Sequence, residues 1–341
     1  MKIKILIIED SIFIKRCIEI GKNGFGTAAP NPAVGSVVVV DGKIIGEGWT
    51  SAYGGAHAEV NAIASVKNKS LLAKSTLYVS LEPCCHHGKT PPCTDLIIKH
   101  KIQRVVIGCI DSNTKVSGKG VAALEAAGCK VKVGIEEDLC KEHHRRFLTF
   151  QNKKRPYVIL KWAETKNGFI APKKKKNRTP VWISSSESRQ LVHQWRSEEH
   201  AILVGGNTVL DDNPSLTTRM ISGRNPIRIV VDQKGTLPKS LAVFSEDAKT
   251  HILSNNDINF NNEIAKQICN KLYEMSILSV LIEGGQKTLQ YFIDENLWDE
   301  MRVFKGPTEF TAGTKSPAFK DTPRHKVSIA DDELCIYRNK K

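Results

Sequence analysis

The chain has no long apolar run. Near its N-terminus the longest, Ile5–Ile8, is far too short for the core of a secretion signal or for a membrane span, so a soluble protein with no membrane partner is expected. It also lacks the cysteine arithmetic of a disulfide framework, since nine cysteines spread over 341 residues leave one unpaired by parity. A reducing cytoplasm fits that usage. Acidic residues are the scarcer charge, 36 against 50 basic ones, giving a net charge of +14. Such an excess steers either polyanions or smaller phosphorylated ligands. The densest basic run, Lys173–Lys176, has no interleaved aromatics and so offers no stacking platform for single strands. It reads as a solvated loop. No nucleic-acid partner follows from charge alone.

What is present describes a globular protein of two domains. Hydrophobic residues make up 40% and charged ones 25%, and the length exceeds one ordinary domain. Strand patterns at Val34–Val40, Lys43–Trp49, Thr76–Leu81, Arg104–Ile110 and Cys129–Ile135 alternate with helical patterns at Ala56–Val66, Thr94–His100 and Gly120–Ala127. A helix over Glu136–Phe147 closes this α/β layered unit, and Gln151–Pro156 reads as a polar linker. The boundary is expected near residue 152, giving domains 1–152 and 153–341. The second half repeats the α/β alternation, with strands at Tyr157–Ala163, Ala201–Gly206, Pro226–Asp232, Thr250–Ser254 and Ile277–Gly285. Its helices are expected over Ser186–Ser197, Asn262–Met275 and Gln286–Asn296. The opening MKIKILIIEDS resembles the first strand and acidic pocket of a response-regulator receiver, but the space for its phosphorylatable aspartate is taken by another motif. An apolar strand or a disordered leader is expected there.

That other motif is the most specific feature of the chain. Gly54–Ile63 (GGAHAEVNAI) supplies His57 and Glu59; Leu81–Cys93 (LEPCCHHGKTPPC) supplies Cys84 and Cys93. One histidine and two cysteines make a three-ligand zinc site whose fourth position stays open to water, the mark of a catalytic rather than a structural zinc. A carboxylate beside that water, but off the metal, moves its protons. The pattern H-x-E…P-C…C is that of zinc nucleobase deaminases, in which activated water attacks an amidine-like ring carbon and ammonia departs. A closed zinc knuckle would need a fourth ligand, and Cys85, His86 and His87 adjoin Cys84 too closely to reach the same ion. These three read as loop residues, His86 or His87 being a candidate substrate contact. Nucleic-acid editing deaminases space their cysteines as P-C-x-x-C. Here eight residues intervene, among them Lys89 and two prolines, which suits a small phosphorylated substrate.

In the second half, Glu283-Gly284-Gly285 ends a strand and opens a helix whose N-terminus can receive a phosphate. The ordered G-x-G-x-x-G fingerprint is absent, so a standard Rossmann site is not supported.

Beyond these residues, PNPAVGSVVV, GGAHAEVNAI, LEPCCHHGKTPPC and VSGKG resemble the deaminase half of the bifunctional riboflavin-biosynthesis deaminase–reductases, over about Ile14–Phe147. The resemblance implies a cytidine-deaminase-like three-layer α/β/α domain that removes the C2 amino group of 2,5-diamino-6-(5-phosphoribosylamino)pyrimidin-4(3H)-one. It assigns one Zn²⁺ per chain to His57, Cys84 and Cys93, proton transfer to Glu59, the base to Asn31 and the phosphate to Lys89. As a residue of an Asn-Pro turn, Asn31 has a purely local reading as well.

PYVILK, VWISS, HAILVGGNTVLDDNPSLTTR and LIEGG resemble the reductase half, which implies a dihydrofolate-reductase-like α/β fold and NADPH reducing the ribosyl group of 5-amino-6-(5-phosphoribosylamino)uracil to ribityl. The cofactor then falls to Ala163, Trp182, Thr208, Asp212, Gly285, Gln286, Lys287, Thr288, Leu289, Gln290 and Tyr291. Arg196, Leu216, Arg219 and Glu283 meet the substrate, and Lys161 lies near the reacting carbon. A homo-oligomer is expected. Three departures stand out: Lys166-Asn167-Gly168 replaces the usual L-D-G, Pro180 stands where a substrate-binding serine is typical, and VFKGPTEFTAGT replaces A-P-K-L-L-G-G.

Overall fold

Val37 and Val38 are fully buried, as befits a strand covered on both faces, which has no polar side to alternate with. They sit in β1 (Gly35–Val40) of a computed structural model that describes residues 2–87, 91–113, 116–175 and 178–340. The chain divides into two compact units, Met1–Lys154 and Arg155–Lys341.

In the first unit, β1 turns into β2 (Lys43–Trp49) through Asp41-Gly42, whose φ of 49° and 73° are the left-handed values a two-residue hairpin needs. With β3 (Thr76–Leu81), β4 (Arg104–Cys109) and β5 (Lys130–Val133) these strands form a sheet of order β2-β1-β3-β4-β5. The pairs β3–β4 and β4–β5 are parallel, while β1 runs antiparallel to both neighbours. The helices are α1 (Lys2–Gly21), α2 (Ala58–Ser65), α3 (Cys93–Lys99), α4 (Lys119–Ala126), α5 (Glu137–His143) and α6 (Arg145–Lys153). Two glycines seat helices on opposite faces of the sheet. A Cβ on Gly35 would lie 1.9 Å from Cys17 O of α1, and one on Gly48 would lie 2.3 Å from Ala62 N of α2. The unit is thus layered α/β/α.

Two expectations are corrected here. From Lys2 onward the segment MKIKILIIEDS is neither strand nor leader but the first turns of α1, against the preference of its β-rich composition. Asp10 of that helix is buried against the sheet, with Arg104 at 2.8 Å, Lys132 at 2.9 Å and the Tyr78 hydroxyl at 2.9 Å. In addition, the closing helix is two helices broken at His144, and the second covers half of the expected linker.

The second unit holds β6 (Tyr157–Thr165), β7 (Phe169–Pro172), α7 (Ser186–Glu198), β8 (Ala201–Gly205), α8 (Gly206–Asp212), β9 (Ile227–Val231), β10 (Thr250–Leu253), α9 (Ile264–Glu274), β11 (Ser279–Ile282), α10 (Gln286–Asp294), β12 (Glu300–Gly306), β13 (Gly313–Lys315), β14 (His325–Ile329) and β15 (Asp332–Arg338). Its main sheet has the order β10-β9-β8-β11-β6-β12-β15-β14; β7 and β13 pair separately. The first six strands are parallel, and β15 and β14 are added antiparallel. Val158, Leu160 and Val280 pack on α9 and α10. Tyr157, Ile159 and Phe304 pack on α7 from the other face. The strands after Glu300 have no counterpart in the sequence reading, because β12 carries charge inside: Glu300 and Arg302 are both buried and pair at 2.5 Å.

Candidate active sites

Each candidate ligand of the first site stands at or just beyond an element end. The strand β3 stops at Leu81 and delivers Glu82-Pro83-Cys84 beyond its C-terminal edge, where open α/β sheets place ligands. The Glu82 carboxylate anchors this turn by accepting the N–H groups of Gly118 at 3.0 Å, Gly120 at 2.9 Å and Val121 at 3.2 Å. His57 is the N-cap residue of α2, and Cys93 is the first residue of α3. The His57 Nδ1 lies 3.5 Å from Cys84 Sγ and 3.4 Å from Cys93 Sγ, and the three ligand atoms fall within 4.8 Å of one another. Atoms held tetrahedrally at ordinary zinc–nitrogen and zinc–sulfur lengths stand roughly 3.5 Å apart, so the donor set fits zinc. Among the described residues no other His, Cys, Asp or Glu joins the cluster, which leaves the closed knuckle without its fourth protein ligand.

Glu59, on the second residue of α2, is only 4% exposed. Burial pushes its carboxyl up to about 7, and the Cys84 thiolate adds to the shift. Cys93 and His57 draw the Cys84 thiol down to about 4, with burial opposing them, and Cys93 is pushed up in turn. Asn31 lies in the turn after the cis Ala29–Pro30 bond, its N–H on Ala28 O at 2.9 Å. His86 and His87 are exposed. Lys89 lies outside the described residues.

The second site is a cavity of about 920 Å³ at the C-terminal ends of β6, β8, β9 and β11. Lys161, Ala163, Trp182, Arg196, Thr208, Asp212, Arg219, Glu283, Gly285, Gln286, Lys287, Thr288, Leu289 and Tyr291 all line it. Two expected residues do not. The Leu216 side chain packs in the core with Ile202 and Val230, and Gln290 turns away to Asp294 at 2.7 Å and to Ala318 O at 3.1 Å.

Charge is concentrated at Glu283. Arg196 grips it with two bonds of 2.9 and 2.7 Å, and the Lys161 ammonium stands 3.9 Å away. Burial would raise the Glu283 carboxyl, but these two cations hold it down to about 2. Burial lowers Lys161, and Arg196 lowers it further while Glu283 opposes them. Backbone approach defines the opposite wall. Gly285 caps α10 with φ 62°, and a Cβ there would lie 3.1 Å from Thr208 Oγ1. This bare helix start, facing open cavity, fits the phosphates of a dinucleotide. The lysine run is less solvated than expected, because Lys175 pairs with Asp212 at the cavity rim; Lys176 lies outside the described residues. Two cavity residues escaped the sequence reading: Arg189, stacked 4.8 Å over the Trp182 ring, and His193 on α7. The spacing of His193 three residues before Arg196 was the only available signal.

Residues 8–109 match the cytidine and deoxycytidylate deaminase zinc-binding region, and residues 156–337 match the RibD C-terminal domain. Fold and sites thus define a zinc-dependent deaminase joined to a reductase, with zinc and NADPH as the respective cofactors. The riboflavin biosynthesis protein RibD of Aquifex aeolicus is 39% identical over 314 residues, 87% of either chain. A diaminohydroxyphosphoribosylaminopyrimidine deaminase/5-amino-6-(5-phosphoribosylamino)uracil reductase from Thermotoga maritima superposes with a TM-score of 0.87 at 39% identity, covering 97% of this chain and 99% of that one. RibD of Acinetobacter baumannii gives 0.85 at 29% identity, over 97% and 98%. The chain belongs to the RibD family of bifunctional riboflavin-biosynthesis proteins.

Proposed function

We propose that the first unit deaminates 2,5-diamino-6-(5-phosphoribosylamino)pyrimidin-4(3H)-one and that the second reduces the ribosyl group of the product, 5-amino-6-(5-phosphoribosylamino)uracil, to ribityl. The observation that carries the proposal is the buried Glu59 set beside a three-ligand His57–Cys84–Cys93 cluster. Zinc, when bound there, supplies a Lewis acid that activates water. Glu59 takes the proton from that water and returns it to the departing amine, and Asn31 and Lys89 receive the base and the phosphate. In the second unit NADPH supplies hydride. Gly285 to Tyr291 cradle its phosphates, helped by Trp182, Thr208 and Asp212, while Lys161 polarises the ribose C1 and Arg196, Arg219 and Glu283 hold the ribosyl phosphate substrate. Two arginines suit this role because a planar fork of donors matches phosphate oxygens.

We infer that the chain works in the cytoplasm as a homo-oligomer, on phosphorylated pyrimidines. Purified zinc-loaded protein given the diaminopyrimidinone should release ammonia and then, with NADPH, lose the cofactor's near-ultraviolet absorbance. Ammonia release without absorbance loss would remove the second half of the proposal. Robust turnover of tRNA or single-stranded DNA instead would favour an editing deaminase.

A further inference from the structure

The cavity wall that carries Arg219 is a loop, residues 213–219, and its conformation is not self-supporting. Leu216 within it has φ 55°, a left-handed value that a leucine rarely adopts without outside constraint. Side chains outside the loop supply that constraint, among them Asn225, whose Oδ1 accepts the Thr218 N–H at 2.7 Å. Arg228, with no exposed surface, donates to Ser215 O at 3.2 Å. His193 of α7, 3% exposed, accepts the Arg219 N–H on Nδ1 at 3.1 Å. One turn further along α7, Arg196 donates to Thr217 O at 3.2 Å, so the helix grips the loop on both sides of Thr218.

We infer that His193 is a positioning residue of the reductase site, fixing the Arg219 main chain so that its guanidinium faces the substrate phosphate. This rests on the proposed role of Arg219. Only a side chain with an unprotonated acceptor can receive this amide; an apolar one would leave this part-buried donor without its protein partner. Burial favours the neutral ring, the neighbouring Arg196 and Arg219 add to this, and Glu283 opposes them. Nothing else in the proposed chemistry uses this imidazole.

The test uses the full zinc-loaded chain with His193→Leu, His193→Gln and Arg219→Ala. His193→Leu should raise the reductase KM for the ribosyl phosphate roughly tenfold, the effect of losing one hydrogen bond that holds the loop, with kcat within about twofold. NADPH affinity and ammonia release should stay at the parent values. His193→Gln, which keeps an acceptor, should recover most of the loss, and substrate lacking its phosphate should not discriminate among the proteins. A parent-like KM in His193→Leu, while Arg219→Ala raises it, would overturn the inference alone. So would a parallel fall in kcat and NADPH affinity, the mark of a general structural role. An unchanged KM in Arg219→Ala would contradict the substrate reading itself, and this inference with it.

Discussion

Glu59 and Glu283 are both buried carboxylates, yet their surroundings set them to opposite tasks. Glu59 has burial and the Cys84 sulfur to raise it, and so is suited to carry a proton; Glu283 has two cations in contact and stays ionised. Glu59→Gln should keep its zinc and lose deamination by roughly 10²- to 10⁴-fold, with reductase turnover intact; metal analysis beside an ammonia assay checks both. Removing the Glu283 charge leaves Arg196 and Lys161 buried without a counter-ion. Glu283→Ala should therefore destabilise the chain by about 3–5 kcal/mol, read from urea midpoints, as well as abolish reduction. Because the Glu283 carboxyl falls from 4.5 to about 2 on folding, its contribution is whole above pH 4.5 and is lost as pH falls toward 2. The parent should lose stability through that window by an amount that Glu283→Ala lacks.

At the scale of elements, local pattern and tertiary demand part company where charge is buried. The sequence showed β1 to β6 within a residue or two, since their valine and isoleucine runs lie between clear turns. It did not show β12, whose buried Glu300–Arg302 pair reads as a polar interruption, nor the β14–β15 hairpin beyond it. The helical start of the chain was hidden for the same reason: Asp10 is accounted for only once Arg104 and Lys132, far along the chain, are seen to meet it. Asp10→Ala should cost about 1–3 kcal/mol, below the value for a sealed pair because both partners are partly exposed. The clustering of His57, Cys84 and Cys93 was legible, the three lying in two short segments of chemically distinctive residues. The reductase cavity was legible only through the family resemblance, because its residues are scattered and ordinary in type; the expected residues line it except Leu216 and Gln290. A mid-helix histidine such as His193 carries no mark of its role until Arg219 is placed beside it. The close seating of α2 on β2 gives a further expectation. Gly48→Ala puts a methyl against the Ala62 amide, and should cost about 1–3 kcal/mol and weaken metal retention by shifting His57 at the helix start.

For the whole molecule, each of the two compact units buries its own set of apolar residues and carries its own chemistry. The charge excess of +14 is compatible with phosphorylated small-molecule ligands but does not single them out. One consequence is that a chelator should abolish ammonia release while leaving NADPH oxidation on the deaminated substrate unchanged. The measurement closest to the central claim is elemental analysis of the purified chain beside Cys84→Ser, each assayed for ammonia release. The parent should hold one zinc per chain and the variant should lose metal and deamination together while still oxidising NADPH. A parent that deaminates with no bound metal, or a metal-depleted Cys84→Ser protein that still releases ammonia at the parent rate, would contradict it.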